Sequence, residues 1–302
     1  MAVSISTGSS RRALETGPSG WLAAPALIFF VLFAIIPLFG VLFLSFTTWD
    51  GLGEIKLDGL SSWTKVLTDP LTGNALLVTA KIMFFSFIVQ APISLLLGVF
   101  TAAGQKYRAA LAVLYFLPLL LSSAAAAIAF KALLDPNFGM GAGLGIPFLA
   151  QDWLGNSDLV LFVVVFVIAW QFVPFHTLIY QGGVRQIPAS LYEAAQIDGA
   201  GRVQQFFSIT LPQMKYTIIT SSTLMVVGSL AYFDLVFVLT GGGPGYATRL
   251  LPLHMYLTGF KANDMGAASA LGVILVVIGL ALALFLQRLG GKNRNDSQLE
   301  GA

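Results

Sequence analysis

The chain has 302 residues, of which 57% are hydrophobic and only 10% are charged, whereas soluble domains carry about 25% charged residues. Such a composition cannot cover a globular surface in water and excludes a soluble protein. The formal net charge of +2 gives no reason to expect nucleic-acid binding. Cysteine is absent, which rules out disulfides and thiolate sites, and two histidines are too few for a histidine-rich metal centre, so no metal site is predicted.

Six apolar stretches are long enough to cross a bilayer, which requires about 20 apolar residues in a helix. They lie at 21–46, 74–103, 109–134, 158–181, 214–240 and 266–288. The first follows Arg11 and Arg12, as in a signal peptide, but its apolar run exceeds the roughly 7–15 residues of a signal core. A retained helix is therefore favoured over a cleaved signal, and the sequence predicts an all-α integral membrane protein with six transmembrane helices.

The distribution of lysine and arginine predicts the orientation, because these residues concentrate in cytoplasmic loops. Ten of the sixteen fall in one set of loops and tails, and four fall in the other set, namely Lys56, Lys65, Arg249 and Lys261; Lys81 and Lys131 lie inside spans. Both termini are therefore predicted to be cytoplasmic. They form tails at 1–20 and 289–302 around a transmembrane domain at 21–288.

The predicted cytoplasmic loop at 182–213 is much longer than its counterpart between the second and third spans. Pro188 interrupts the preceding helix, because proline lacks the amide donor. Ser190 and Glu193 have the spacing of a capping box that would begin a new helix. Gly199 and Gly201 would end or bend that helix. The pattern predicts a short amphipathic helix at the membrane face.

This helix could either lie among lipid headgroups or bind a partner protein. Helices that lie in headgroups are usually rich in lysine and arginine, whereas Arg202 is the basic residue of this segment. Small residues offer a flat surface to another protein, and they occur here as Ala194, Ala195, Gly199 and Ala200. Partner binding is therefore favoured.

At this loop the sequence resembles the EAA loop of binding-protein-dependent ABC permeases. The resemblance is carried by Glu193-Ala194-Ala195, Asp198-Gly199-Ala200, Phe206, Ile209 and Leu211-Pro212. The segment Leu239-Thr240-Gly241-Gly242-Gly243-Pro244 resembles the LTGGGP segment of the carbohydrate-uptake branch, and the best match is the F-type subunit of maltose permeases with its six-span relatives.

The resemblance implies the fold of a type I ABC importer permease, located in a bacterial or archaeal cytoplasmic membrane. It implies a sugar importer in which this chain forms half of the pore beside a second, different permease subunit. Two cytoplasmic ATPase subunits would use ATP and Mg, and an extracytoplasmic sugar-binding protein would deliver the substrate. The chain itself contains no GxxxxGK[ST] motif, so it is predicted to be neither an ATPase nor a holder of a cofactor.

The resemblance assigns ATPase coupling to Glu193, Ala194, Ala195, Asp198, Gly199 and Ala200. Glu193 could contact the ATPase or cap its own helix. For Asp198 a local role is favoured, in which it caps the following turn or accepts a hydrogen bond from Arg202.

The resemblance also suggests sugar contacts for Gln171, Phe172, Phe175, Ser229 and Tyr232. Aromatic faces combined with amide and hydroxyl groups are typical of sugar sites. The alternatives are helix packing for the aromatic residues and a hydrogen bond from Ser229 to the backbone behind it. His176 is expected to be a hydrogen bonder between helices.

Three charged residues lie inside the predicted spans, where an isolated charge costs at least about 2.5 kcal/mol. The two lysines, Lys81 and Lys131, could extend their amines to the interface. Asp234 is expected either to pair with one of them or to face an aqueous cavity.

Other functions fit the sequence less well. An ion-coupled secondary transporter would usually carry internal repeats, and none is visible. No segment resembles a channel filter, and no set of residues resembles the catalytic centre of an intramembrane enzyme. A polyol or glycerol-3-phosphate is the alternative cargo, although a phosphate site would favour arginines within the pore.

Overall fold

The computed structural model describes residues 20–103 and 106–289, and these residues are mainly helical. The predicted tails at 1–20 and 289–302 therefore lie almost entirely outside the described residues. Four described helices are long and apolar enough to cross a membrane: Trp21–Leu44, Pro70–Ala102, Val160–Arg185 and Met265–Leu289. The number of spans reaches six if each of two bent helix pairs forms one span.

The first span joins a 3₁₀ turn (Gly20–Ala23), α1 (Ala24–Phe30), a π-helical segment (Val31–Ile35) and α2 (Ile36–Leu44). The π-helical segment ends two residues before Pro37, whose ring would clash with the carbonyl group four residues earlier in a regular α-helix. The wider π turn accommodates the proline without breaking the span. None of the span's described side chains is buried against the rest of the chain, so this helix must be covered by lipid or another protein.

A short segment connects the first two spans. It contains the antiparallel strands β1 (Thr47–Thr48) and β2 (Lys56–Leu57), followed by α3 (Ser61–Thr68). The second span, α4 (Pro70–Ala102), begins at a proline, and the Asp69 side chain accepts a hydrogen bond of 2.9 Å from the Leu71 amide. Proline at the first position and aspartate at the cap are the residues that a helix start prefers.

The core of the fold is the pair formed by α4 and α8 (Val160–Arg185). The two helices run parallel, because Thr101 accepts a hydrogen bond from Gln181 and Ala102 accepts one from Arg185. At Gly98 an added Cβ would lie 2.6 Å from the Cβ of Tyr180. The absence of a side chain at Gly98 therefore allows the two helices to pack closely.

The two bent pairs differ from the continuous helices predicted over 109–134 and 214–240. In the first pair, α5 (Lys106–Leu120) gives way to α6 (Ser123–Leu133) across a bend of 103°. Ser122 forms the new start by accepting a hydrogen bond from the Ala125 amide. In the second pair, α12 (Lys215–Gly228) and a 3₁₀ turn (Ser229–Ala231) are bent by 49° from α13 (Phe233–Leu239).

The remaining helices are short except for the last. They are α7 (Met140–Leu144), α9 (Ala189–Ile197), α10 (Arg202–Gln205), α11 (Leu211–Gln213), α14 (Leu251–Tyr256) and α15 (Met265–Leu289), with π-helical segments at Phe206–Thr210 and Leu257–Lys261. The segment Phe206–Thr210 ends two residues before Pro212, which is also the spacing between Val31–Ile35 and Pro37. A π-helical turn therefore accommodates the proline in both places.

Candidate functional site

The predicted coupling helix is present as α9, but it begins differently from the prediction. Its N-cap is Pro188, which makes no side-chain hydrogen bond to the helix, so Ser190 is already the second helical residue. The predicted capping box of Ser190 and Glu193 is therefore wrong. Pro188 itself directs the chain into the helix, since its ring fixes φ and the first amides of a helix need no intrahelical acceptor. The side chain of Glu193 is left exposed and free to meet another protein.

The end of α9 matches the prediction that Gly199 terminates the helix. The Ala200 amide donates to the Ala195 carbonyl group at 2.8 Å, and the Gly199 amide donates to the Gln196 carbonyl group at 3.1 Å. These two bonds form a Schellman motif, which requires the left-handed conformation seen at Gly199, where φ is +77°. The motif fixes the direction in which the chain leaves the coupling helix.

Asp198 does not have either of the local roles expected from the sequence. The residue that caps α10 is Gly201, and within the described part of the chain Asp198 forms no side-chain hydrogen bond or ion pair with Arg202. Both side chains are exposed. Asp198 also lines a shallow cavity of about 200 Å³ together with Ala195 and Ala200, so it is presented on the outer surface of the loop.

Two side-chain contacts hold the loop that follows α9. The Gln205 amide donates to the Ala200 carbonyl group at 2.8 Å, and the hydroxyl groups of Tyr192 and Thr210 lie 2.9 Å apart. The second contact ties the coupling helix to the π-helical segment that leads into α12. Movement of α9 would therefore be transmitted to the fifth predicted span.

Gln171 lies at the bend between α5 and α6. Its amide nitrogen donates to the Leu121 carbonyl group at 2.9 Å, and its amide oxygen has no hydrogen-bond partner within the described chain. The side chain is only 3% exposed. Gln171 thus satisfies a carbonyl group freed by the helix break and retains one unused acceptor in the interior.

The rings of Phe172 and Tyr232 contact each other, with centroids 5.3 Å apart. Tyr232 occupies the bend between the 3₁₀ turn and α13, so the second broken helix also contributes to this region. The other two predicted sugar contacts are placed differently. Ser229 is buried and donates to its own helix at Val226, as in the backbone alternative, while Phe175 is 40% exposed and contacts the His176 ring.

His176 has the role expected from the sequence. Its Nδ1 lies 3.0 Å from the Ser221 hydroxyl group, and both side chains are buried. The contact joins α8 to α12. His176 therefore serves helix packing in this structure.

Two polar residues of α4 were missed by the sequence analysis. Gln90 is 1% exposed with neither amide atom hydrogen-bonded, and the buried Ser86 hydroxyl group, one turn away, also lacks a partner within the described residues. The Tyr232 hydroxyl group approaches Gln90 but without hydrogen-bond geometry. The signal was present in the sequence, because Ser86, Gln90 and Ser94 repeat every four residues within an apolar span.

Gln90 and Gln171 lie at the same depth in the parallel pair of α4 and α8. Gly98 faces Tyr180, and Gln90 precedes Gly98 by eight residues while Gln171 precedes Tyr180 by nine. With a rise of 1.5 Å per residue, both glutamines lie about 12–14 Å along the helix axis from the contact between Gly98 and Tyr180. We refer to Gln90, Gln171, Phe172 and Tyr232 as the polar layer. It coincides with both helix breaks, and interrupted helices are a common setting for transport sites in membranes.

The three charged residues of the spans are exposed in the isolated chain. Among the described residues, Asp234 forms no ion pair with Lys81, Lys131 or any other cation. The expected pairing of Asp234 with a lysine is therefore not observed. The alternative, that Asp234 faces an aqueous cavity, is compatible with its exposure.

A cavity of about 890 Å³ lies between the loop after the first span and the segment around α14. Its charged lining includes Lys65 and Asp264, which form a salt bridge. His254 lies at its wall, with Nε2 3.2 Å from the Thr72 hydroxyl group and 3.5 Å from an Asp69 oxygen. Burial lowers the pKa of His254, and the charge of Arg249 lowers it further, while Asp69 acts in the opposite direction.

Residues 94–295 match the family described as binding-protein-dependent transport system inner membrane component. The chain belongs to this family. The prediction of a non-catalytic ABC permease subunit is thereby confirmed. The chain is 32% identical to the multiple sugar-binding transport system permease protein of Streptococcus mutans, over 88% of this chain and 93% of the relative.

Two further comparisons cover nearly the whole chain. It is 28% identical to the trehalose/maltose transport system permease protein of Thermococcus litoralis, over 90% of this chain and 92% of the relative. A subunit of a solved bacterial ABC transporter that imports alginate superposes with a TM-score of 0.78, at 22% identity, over 91% of this chain and 96% of that subunit. The fold predicted from the sequence, that of an ABC importer permease, is therefore confirmed.

Proposed function

We propose that this permease forms half of the translocation pore of an ATP-driven sugar importer and couples to its ATPase through the loop at 182–213. The observation that supports the coupling role is the closed Schellman motif on a helix that presents Glu193 and Asp198 outward and contacts the π-helical segment leading into α12. Rigid attachment of this kind is what mechanical coupling between two proteins requires.

The polar layer supports a polyhydroxylated cargo. Gln90 and Gln171 hold buried amide atoms that have no hydrogen-bond partners within the described chain, and the rings of Phe172 and Tyr232 lie beside them. Buried polar groups are normally satisfied, so a substrate rich in hydroxyl groups would complement this layer once the helices part. The two relatives described above are sugar-transport permeases by name, which favours the same cargo class.

The remaining parts of the proposal rest on the predicted orientation and on the family to which the chain belongs. Both termini and the coupling loop lie in the cytoplasm, where two ATPase subunits use ATP and Mg, while the cavity around His254 faces outward. A second permease subunit completes the pore, and a sugar-binding protein delivers the cargo from outside the cytoplasmic membrane. The exposed first span offers a surface for the second subunit or for lipid.

The test is purification of the tagged chain from its native membrane in mild detergent, with Glu193→Ala beside the native sequence. Gln196→Ala is the matched control, because the Gln196 side chain is exposed on the same helix and is not among the residues that carry the resemblance to the EAA loop. The native chain and the control should recover a sugar-stimulated ATPase activity, and Glu193→Ala should recover about tenfold less. A chain that moves solute along an ion gradient without ATP would contradict the proposal.

A further inference from the structure

Four aromatic rings form a continuous series outside the polar layer. Phe233 and Phe237 stack at a centroid distance of 5.4 Å with only 11° between their planes, and Tyr256 contacts both, at 5.1 and 5.3 Å. Phe260 then stacks on Tyr256 at 5.5 Å. We refer to Phe233, Phe237, Tyr256 and Phe260 as the aromatic ladder. It joins α13 to α14 and the π-helical segment that follows.

The ladder lies between the polar layer and the segment that borders the 890 Å³ cavity. At one end, Phe233 follows Tyr232 in the chain and packs against the same apolar cluster as Tyr232 and Phe172. At the other end, Phe260 lies in the π-helical segment Leu257–Lys261, whose residues Leu257 and Thr258 line the 890 Å³ cavity. The rings therefore extend from the polar layer towards the segment that lines the outer cavity, and none of the four rings lines the cavity itself.

The exposed face of the ladder is not a simple lipid-facing surface. Asp234 lies between Phe233 and Phe237 in the sequence of α13, and its side chain is exposed without an ion-pair partner among the described residues. A carboxylate directed at lipid tails is energetically unfavourable. This side of α13 is therefore adjacent to water or polar groups, and Phe237, which is 37% exposed, borders the same side.

We propose that the aromatic ladder is a stacking track for the pyranose rings of the entering saccharide. The C–H faces of a pyranose are apolar and pack on aromatic rings, while its hydroxyl groups need acceptors such as the Asp234 carboxylate. A track of contacting rings lets the sugar move by small steps without losing its apolar contact. This inference rests on the proposed function, since it assumes a sugar cargo that enters from the outer cavity.

The test compares Phe237→Leu with Phe237→Tyr in the complete transporter reconstituted in liposomes. Leucine keeps the apolar character but lacks a ring face, whereas tyrosine keeps the face. Radiolabelled maltose and trehalose serve as probes at concentrations below saturation of uptake. Phe285→Leu is the control, because Phe285 is exposed on α15 and takes no part in the ladder. Recovery of all subunits is measured on the same preparations.

We expect Phe237→Leu to lower ATP-dependent uptake about tenfold, with Phe237→Tyr and Phe285→Leu close to the native rate and all subunits recovered equally. Equal uptake by Phe237→Leu and the native transporter would overturn the stacking track and indicate contact with lipid. A loss of uptake that follows a loss of the second permease subunit would also overturn it, because the ladder would then be a subunit interface. Failure of the native transporter to take up either sugar with ATP would count against the proposed cargo itself.

Discussion

At the scale of single residues, Gly98 shows how closely the central helix pair is fitted. A Cβ at this position would lie 2.6 Å from the Tyr180 side chain and 3.1 Å from the backbone of Gln181 and Thr177. Neither backbone atom can move without shifting α8. In a membrane, where lipid tails are as apolar as the side chains, such close backbone contact is a main source of helix association.

Gly98→Ala should therefore destabilise the protein by about 1–3 kcal/mol, the usual cost of overpacking. Gly182→Ala is the matched control, because an added Cβ there meets no atom within 4 Å. Thermal unfolding followed by tryptophan fluorescence should show a lower Tm for Gly98→Ala alone. Equal Tm values for the two variants would show that α4 and α8 can separate at no cost.

His254 lies outside the predicted spans and makes the free energy of unfolding depend on pH. Burial and the nearby Arg249 charge hold the pKa of His254 below its usual 6.5 in the folded protein. The unfolded chain therefore binds this proton more readily, and the free energy of unfolding falls as the pH drops below 6.5. The stabilising contribution of His254 is fully present above pH 6.5. It is lost as the pH falls towards the lower pKa that His254 has in the folded state.

His254→Gln should make this dependence shallower, because glutamine can still reach Thr72 but carries no proton between pH 7 and 5. The measurement is Tm against pH in detergent for both proteins. The native chain should lose stability more steeply on acidification. Parallel curves would mean that His254 does not titrate in this range.

At the scale of elements, the loop at 182–213 owes its shape to a glycine and two prolines. Pro188 starts α9, Gly199 ends it, and the π-helical segment ahead of Pro212 carries the chain into α12. Pro188 fixes φ, Gly199 adopts a positive φ, and Pro212 lacks an amide hydrogen. Other residues fulfil these requirements poorly. The loop is therefore defined by its backbone, and its exposed side chains remain available for a partner.

Gly199→Ala and Gly201→Ala form a matched pair that tests this view. Neither added methyl group meets another atom within 4 Å, but φ is +77° at Gly199 and −70° at Gly201. Gly199→Ala should cost about 1 kcal/mol locally and lower ATP-dependent sugar uptake several-fold, while Gly201→Ala should leave uptake unchanged. Equal uptake in both variants would argue that the angle of α9 is unimportant for coupling.

At the scale of the whole molecule, the apolar runs predicted four helices long enough to cross a membrane to within a few residues, because the length of a bilayer-spanning helix is set by the hydrocarbon thickness. The helix breaks were not predicted. Leu121 and Ser122 continue an apolar stretch, and what stabilises that break is a hydrogen bond from Gln171, fifty residues away. The EAA motif predicted a helix and its glycine end, but its beginning depended on Pro188 rather than on a side-chain cap.

The polar layer likewise emerged only when the helices were brought together. Gln171 and Tyr232 were predicted sugar contacts, but Gln90 lies on a third helix whose depth relative to α8 is set by the Gly98 contact. A single sequence shows that a glutamine occurs within a span, but not that its amide is left without a partner. The number of unsatisfied buried groups is a property of the assembled bundle.

Gln90→Leu should separate stability from transport. Because both Gln90 amide atoms are buried without hydrogen bonds among the described residues, replacing them with apolar atoms of similar volume should leave the Tm unchanged or raise it, as an unsatisfied group costs about 1–3 kcal/mol. If the amide binds sugar hydroxyl groups during transport, ATP-dependent uptake should fall at least tenfold. Gln181→Leu is the control, since Gln181 donates to the Thr101 carbonyl group and its loss should lower the Tm. Native uptake by the Gln90→Leu transporter would show that the polar layer is not part of the transport pathway.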